Sequence, residues 1–250
     1  MINFHEADDP RRRLLIKALA AGLFSAGLPG SNALAASLFG SRPAKLPEGK
    51  SIYRISGQAT VNGKEATPET RINPGDTVQT AQDSELIFVV NSHAMILRGG
   101  SHLVIETTQK KAEEKTPLSL LITGLRLLTG KMLTVSRNTP MRVTTATATI
   151  GIRGTGFYAE SDPEQTYFCT CYGTTDVTAT NDPESKETVI SKHHDRPLYI
   201  LKNAERGRGI RNAPFINHTD QELTLIEALV GRTPPFIFAN DVYNAPRRDY

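Results

Sequence analysis

A chain of 250 residues with a formal charge of +3 has room for one or two domains and too little basic excess to argue for nucleic acid. It contains no Trp, and 38% of its residues are apolar. Gly, Pro, Ser and Thr punctuate it at short intervals, which favours many short strands over long helices.

Residues 1–35 read as a targeting segment and are set apart from the fold. Arg11-Arg12-Arg13-Leu14-Leu15-Ile16-Lys17 resembles the twin-arginine export motif, with the arginine pair at Arg12 and Arg13. The apolar run at 18–28 is shorter than the roughly 20 residues that a span needs. Ala33 and Ala35 supply a small-x-small cleavage site. The expectation is a cleaved signal, a periplasmic mature chain and no stable membrane span. Residues 36–50 read as a linker, punctuated by Gly40, Pro43, Pro47 and Gly49.

From Tyr53 the pattern is strand, turn, strand. Gln58–Val61 leads into Asn62-Gly63, the strongest short hairpin signal. Asn73-Pro74-Gly75-Asp76 is a tight turn, followed by strands at Thr77–Thr80 and Glu85–Val90. The continuous apolar run Leu86–Val90 predicts a buried central strand. Ala94–Leu97 and His102–Ile105 form another turn-linked pair. The charged run at 109–116 reads as a solvated connection rather than a docking loop. Leu118–Leu128 is apolar, and its central Gly124 favours two short strands; Met132–Val135 and Arg142–Thr145 follow as strands.

The chain is organised around Thr144–Ala159. A strand over Ala146–Ile150 tightens into Gly151-Ile152-Arg153-Gly154-Thr155-Gly156 and resumes at Phe157. Three glycines in six residues let the backbone turn sharply or approach another backbone closely. Thr155 is placed to tie that corner through local backbone groups, and Arg153 needs solvent or a partner. No helix opens here, so a dinucleotide-binding reading fails. Gln165–Tyr172 and Asp176–Ala179 close the domain.

The run Ala146–Phe157 resembles the signature of the FecR domain, the periplasmic module of iron-dicitrate-type sigma regulators. Gly57–Val61, Asn73–Thr80, Leu127–Met132 and Thr166–Val177 extend the resemblance over about half of the chain. It implies a mainly β, compact, twisted, solenoid- or roll-like domain at 51–180, with Gly151, Arg153, Gly154, Thr155 and Gly156 as its motif residues. Full-length regulators of this kind carry a cytoplasmic anti-sigma segment and a membrane span. Only ten residues precede Arg11, so no anti-sigma segment is expected here, and cleavage of the signal would leave no span.

Residues 181–250 have a different character. Thr219-Asp220-Gln221-Glu222 is a capping box, and Leu223, Ile226 and Val230 share one face. Gly231 and Pro234-Pro235 end the helix, which is expected at about 219–231 as a cap on the β core. Phe236-Ile237-Phe238 is a candidate final strand or anchor. Lys202, Arg206, Arg208 and Arg211 form a basic run that reads as a hydrated loop more readily than an anion contact.

Cys169 and Cys171 are the only cysteines, and alternation along a strand turns both thiols to one side. They read as small buried hydrophobes, as a strained disulfide, or as soft-metal ligands. His193, His194 and His218 are the histidines that could complete a zinc or copper set, although the spacing matches no standard zinc pattern. Neither a Gly-x-Ser-x-Gly elbow nor a His-Glu-x-x-His motif is present, and no catalytic residue is expected. The first reading is an exported, non-catalytic binding and sensing module in envelope or iron-linked signalling. Its partner would be an envelope protein, a glycan or another periplasmic component. The alternatives are a periplasmic metal-binding or thiol-redox protein and a membrane-anchored sigma-regulator-like protein.

Overall fold

The structure is a computed structural model that describes residues 43–108, 121–136 and 140–236. These described residues fall in one compact unit. The leader with Arg12, Arg13, Ala33 and Ala35, the connection at 109–116, and Ile237-Phe238 lie outside the described residues.

Strands account for 52% of the described residues. The first seven are β1 (Ile52–Ser56), β2 (Ala59–Val61), β3 (Lys64–Glu65), β4 (Thr77–Thr80), β5 (Glu85–Val90), β6 (His93–Leu97) and β7 (His102–Thr108). Three long strands follow or flank a short one: β8 (Leu121–Ser136), β9 (Met141–Thr144), β10 (Ala148–Ser161) and β11 (Gln165–Ala179). Then come β12 (Lys186–Ser191), β13 (Leu198–Leu201), β14 (Ile210–Asn212) and helix α1 (Asp220–Leu229). All fourteen strands belong to one open sheet with the path β14-β13-β11-β10-β9-β8-β7-β4-β2-β3. The sheet passes the boundary expected at residue 180, because β12 and β13 both pair with β11.

Local chemistry explains the turns. Asn62 and Gly63 take φ of 51° and 76°, as a two-residue hairpin between β2 and β3 requires. At the Asn73 turn, Asp76 donates its N–H to the Asn73 carbonyl at 3.1 Å.

Two expectations need correction. The apolar run at 118–128 is not two short strands. From Leu121 it is part of a single 16-residue strand, β8, that also takes in 132–135. Gly124 does not break it. A Cβ there would lie 2.5 Å from Glu106 Oε2, so the glycine admits a close neighbour. The strand stays extended because its partners change along its length: β7 and β9 first, then β6 and β10.

The glycine stretch is likewise no corner. β10 runs straight through Gly151, Gly154 and Gly156. Its register against β11 shifts twice, between Arg153 and Gly156 and between Gly156 and Phe157. The glycines therefore make bulges rather than a turn. A Cβ on Gly156 would meet Tyr172 Cε1 at 2.5 Å. Thr155 does not tie the backbone: its Oγ1 is buried without a hydrogen-bond partner. Arg153 is exposed and pairs with Asp176 at 2.5 Å.

Continuously apolar strands are explained by burial on both faces. Phe88, Met95, Leu97, Met132, Phe157 and Phe168 enter the larger cluster. Their neighbours Ile87, Ile96, Leu133, Tyr158 and Cys169 enter a second cluster. Helix α1 supplies Leu223, Ile226 and Leu229 to that second cluster. Each such buried side chain contributes about 1.5–3 kcal/mol. Thr219 caps the helix by accepting from the Glu222 N–H, and Glu222 Oε2 accepts from the Thr219 N–H at 2.9 Å. No helix among the described residues is long and apolar enough to cross a membrane.

Three of the four residues of the basic run are paired in place. Lys202 pairs with Glu164 at 2.8 Å, Arg208 with Glu205 at 3.1 Å, and Arg206 with Glu184.

Candidate metal centre

The second cluster contains more than apolar side chains. Tyr167, Cys169 and Cys171 alternate onto it from β11. Gly156 pairs with Tyr172 and Phe157 with Thr170, which leaves Cys171 as the extra residue of a bulge. The bulge lets the sequence neighbours Cys171 and Tyr172 share one cluster, whereas Phe168 faces the opposite side. Both cysteines are free thiols with 0% exposure.

The loop between β12 and β13 brings His194 to them. Asp195 Oδ2 accepts from the Lys192 N–H at 2.6 Å, which tightens the loop. His194 takes a positive φ of 52° and donates its N–H to the Cys171 carbonyl at 2.9 Å. A left-handed backbone at a non-glycine residue is uncommon and marks a constrained position. His218 arrives from the other side, one residue before the helix cap Thr219. Its ring stacks on Tyr158 with centroids 4.5 Å apart. Phe215 lies against both histidines, at 4.4 Å from His194 and 4.6 Å from His218.

One ligand atom from each of Cys169, Cys171, His194 and His218 lies within 4.8 Å of the other three. His194 Nδ1 is 3.4 Å from Cys169 Sγ and 3.1 Å from His218 Nε2. A tetrahedral zinc with bonds of about 2.0–2.3 Å separates its ligands by about 3.3–3.8 Å, close to these spacings.

The far nitrogens of both rings are already engaged. His218 Nδ1 donates to the Ile216 carbonyl at 2.7 Å, since a carbonyl oxygen can only accept. His194 Nε2 donates to Asp220 Oδ1 at 3.0 Å. If both rings are neutral, His194 Nδ1 and His218 Nε2 carry no proton. Two bare lone pairs then face each other across 3.1 Å beside a thiol. A proton or a cation between them relieves that conflict. Metal-ligating histidines commonly hold their other N–H against a carboxylate or a backbone carbonyl, and both arrangements occur here.

In the metal-free site a proton takes this place. Burial opposes ionisation of Cys169, but hydrogen bonds from Cys171, His194 and His218 carry its thiol well below the usual range. Cys171 moves the other way, pushed up by burial and by its neighbour Cys169. Burial pulls His194 down, and its bonds to Asp220 and Cys169 more than reverse this, raising it to about 9.

His193 does not join the four donors. Its Nε2 lies on the opposite side of His194, 2.9 Å from Asp220 Oδ2. His193, His194 and Asp220 form a second, more exposed group. Asp220 is the residue that sequence reasoning missed. It lies inside the capping box, and a carboxylate in a helix's first turn already has a sufficient local explanation.

No protein-family profile matches the chain, and no curated protein does. Two crystal structures of a "putative anti-sigma factor" from Parabacteroides distasonis ATCC 8503 are similar to it. The first has a TM-score of 0.41 at 14% identity, covering 55% of this chain and 58% of that one. The second has a TM-score of 0.40 at 13% identity, covering 68% of this chain and 83% of that one.

Proposed function

We propose that this protein is an exported, non-catalytic binding and sensing module that holds a soft metal ion at Cys169, Cys171, His194 and His218. The observation that carries the reading is the pair of imidazole nitrogens facing each other at 3.1 Å beside Cys169, each ring held from behind. Two thiolates and two imidazoles suit zinc first and copper(I) second. Four protein ligands leave no open position for a substrate, which favours binding over catalysis. The metal would supply a charge that satisfies the thiolates and crosslinks the segments bearing its ligands.

The FecR resemblance at 51–180, with its roll-like wrap, supplies the setting. Together with the twin-arginine-like leader it points to the periplasm and to envelope or iron-linked signalling, with an envelope protein or a glycan as partner. Recovery of the chain only in membrane fractions would favour the anchored, sigma-regulator-like alternative. The second reading is thiol-redox chemistry. It is favoured by the hydrogen bond between Cys169 Sγ and His194 Nδ1, which suits a thiolate beside an imidazolium.

Metal analysis of the purified full chain decides between the two. The wild type is expected to retain one equivalent of zinc, and Cys169→Ser/Cys171→Ser none. Equal metal content in both proteins would remove the thiols as ligands.

A further inference from the structure

Resting on the metal reading above, we infer that the ion at this site clamps the N-terminal end of helix α1 onto the sheet, so that metal loss releases that end and uncovers the apolar face beneath it. The ligands come from three separate segments. Cys169 and Cys171 lie on β11, His194 on the loop after β12, and His218 directly before the helix cap. An ion shared by all four donors therefore ties strand, loop and helix entry together. Asp220, in the first turn of α1, holds His194 from behind at 3.0 Å and adds a second link at the same end.

The helix depends on being docked. At ten residues it is shorter than the about 12–15 that an isolated helix needs to be even marginal in water. Its two ends are held differently. At the C-terminal end, the Leu46 N–H donates to the Leu229 carbonyl at 2.9 Å. There too, the fully buried Glu227 accepts from Arg232 Nε at 2.7 Å and from the Tyr172 hydroxyl. At the N-terminal end, the ties outside the four donors include Arg98 to Glu222 at 2.9 Å, Arg98 to the Asn217 carbonyl at 3.0 Å, Asn217 to Glu160 at 2.7 Å and His193 to Asp220 at 2.9 Å. Without a cation, the direct contacts left between His218 and the other donors are its 3.1 Å approach to His194 and the shared packing of the cluster. The surface beneath is Ile87, Ile96, Leu133 and Val135, all at 1% exposure or less while the helix is in place. The metal state would thus be read out as a change in exposed apolar surface, which is what a sensing module needs.

Hydrogen exchange on the full chain tests this, with one equivalent of zinc and after chelation, alongside binding of an apolar fluorescent dye. Zinc is expected to slow exchange of the 220–229 amides about tenfold or more, because a ligand held only by the docked state shifts the opening equilibrium by its own binding. Amides of β4 and β7 should not change, and dye binding should rise on chelation and reverse on adding zinc. His218→Ala keeps three donors and should still bind zinc, more weakly, but zinc should no longer protect the helix. Stoichiometric zinc with identical α1 exchange in both states overturns the clamp and leaves the metal site standing. Exchange rising equally in β4 and β7 overturns it in favour of a general structural metal. Full protection in His218→Ala overturns the tether assigned to that residue. Failure of the wild type to bind zinc removes the metal reading and the clamp with it.

Discussion

The two faces of the sheet are built on different principles. On one face, Phe88, Met95, Leu97, Phe157 and Phe168 pack in the larger apolar cluster, and the buried Thr166 and Thr170 hydroxyls beside Phe168 are paired with other threonines. On the other, Tyr158, Tyr167, Cys169, Cys171 and Tyr172 pack beneath α1 with His194, His218, Asp220 and Glu227 at hand. The contrast teaches where stability and chemistry separate. A mainly apolar face secures the fold without specifying any partner. A face that buries ionisable groups must satisfy each of them, which restricts what can sit there and makes it responsive to protons and metals.

The largest effect should come from the apolar face. Phe157 has 0% exposure and stacks on Phe168 with centroids 5.4 Å apart. Phe157→Ala is expected to cost about 3–5 kcal/mol in chemical denaturation. The metal stoichiometry should survive below the transition. Loss of metal in the still-folded variant would show that the faces are not separable.

Acid provides the next break. An unfolded histidine titrates near 6.5, and in the fold burial first, then the Arg232 charge, lowers His93 to about 4. The fold therefore holds the neutral ring. Between these two values the unfolded chain binds a proton that the folded chain does not, so stability is complete above the window and falls as pH falls through it. The loss from this group is at most about 3 kcal/mol. Denaturation midpoints of wild type and His93→Gln measured from pH 7 to 4 should show a smaller decline in the variant. Parallel declines would remove His93 as the cause.

A sharper cut falls on the responsive face alone. Asp220→Asn keeps the size of the side chain but loses the charge that holds His194. Zinc affinity should fall about 10- to 100-fold at unchanged stoichiometry, as for other carboxylates behind a ligating histidine. Unaltered affinity in a competition titration would reduce Asp220 to a helix-cap residue. The smallest effect is expected at the motif arginine. The Arg153 and Asp176 side chains are 68% and 38% exposed, so their ion pair is screened by solvent. Arg153→Ala should leave both the denaturation midpoint and zinc binding nearly unchanged. A large loss of either would give the glycine stretch a role beyond shaping β10.

Much of the local structure was legible along the chain. Asn62-Gly63 announces its hairpin because few other pairs tolerate two positive φ values. Thr219 and Glu222 announce the start of α1 because each satisfies the other's backbone donor. Gly124 and the glycines of β10 misled, since a glycine that breaks a strand and one that admits a neighbour look alike in sequence. Thr155 misled for the same reason: its neighbours suggest a corner, and only the pairing with β8 shows a continuous strand with a buried, unpartnered hydroxyl.

The residues themselves determined that two thiols on one strand would face the same way, and that a short capped helix would follow. Pairing decided the rest. Cys169 and His194 stand 25 residues apart in sequence and 3.4 Å apart in space, joined by a loop pinned to the Cys171 carbonyl. A periodicity records which side of its own strand a residue faces. It carries nothing about which distant segment will be held against that side, because that choice depends on the summed packing of the whole sheet.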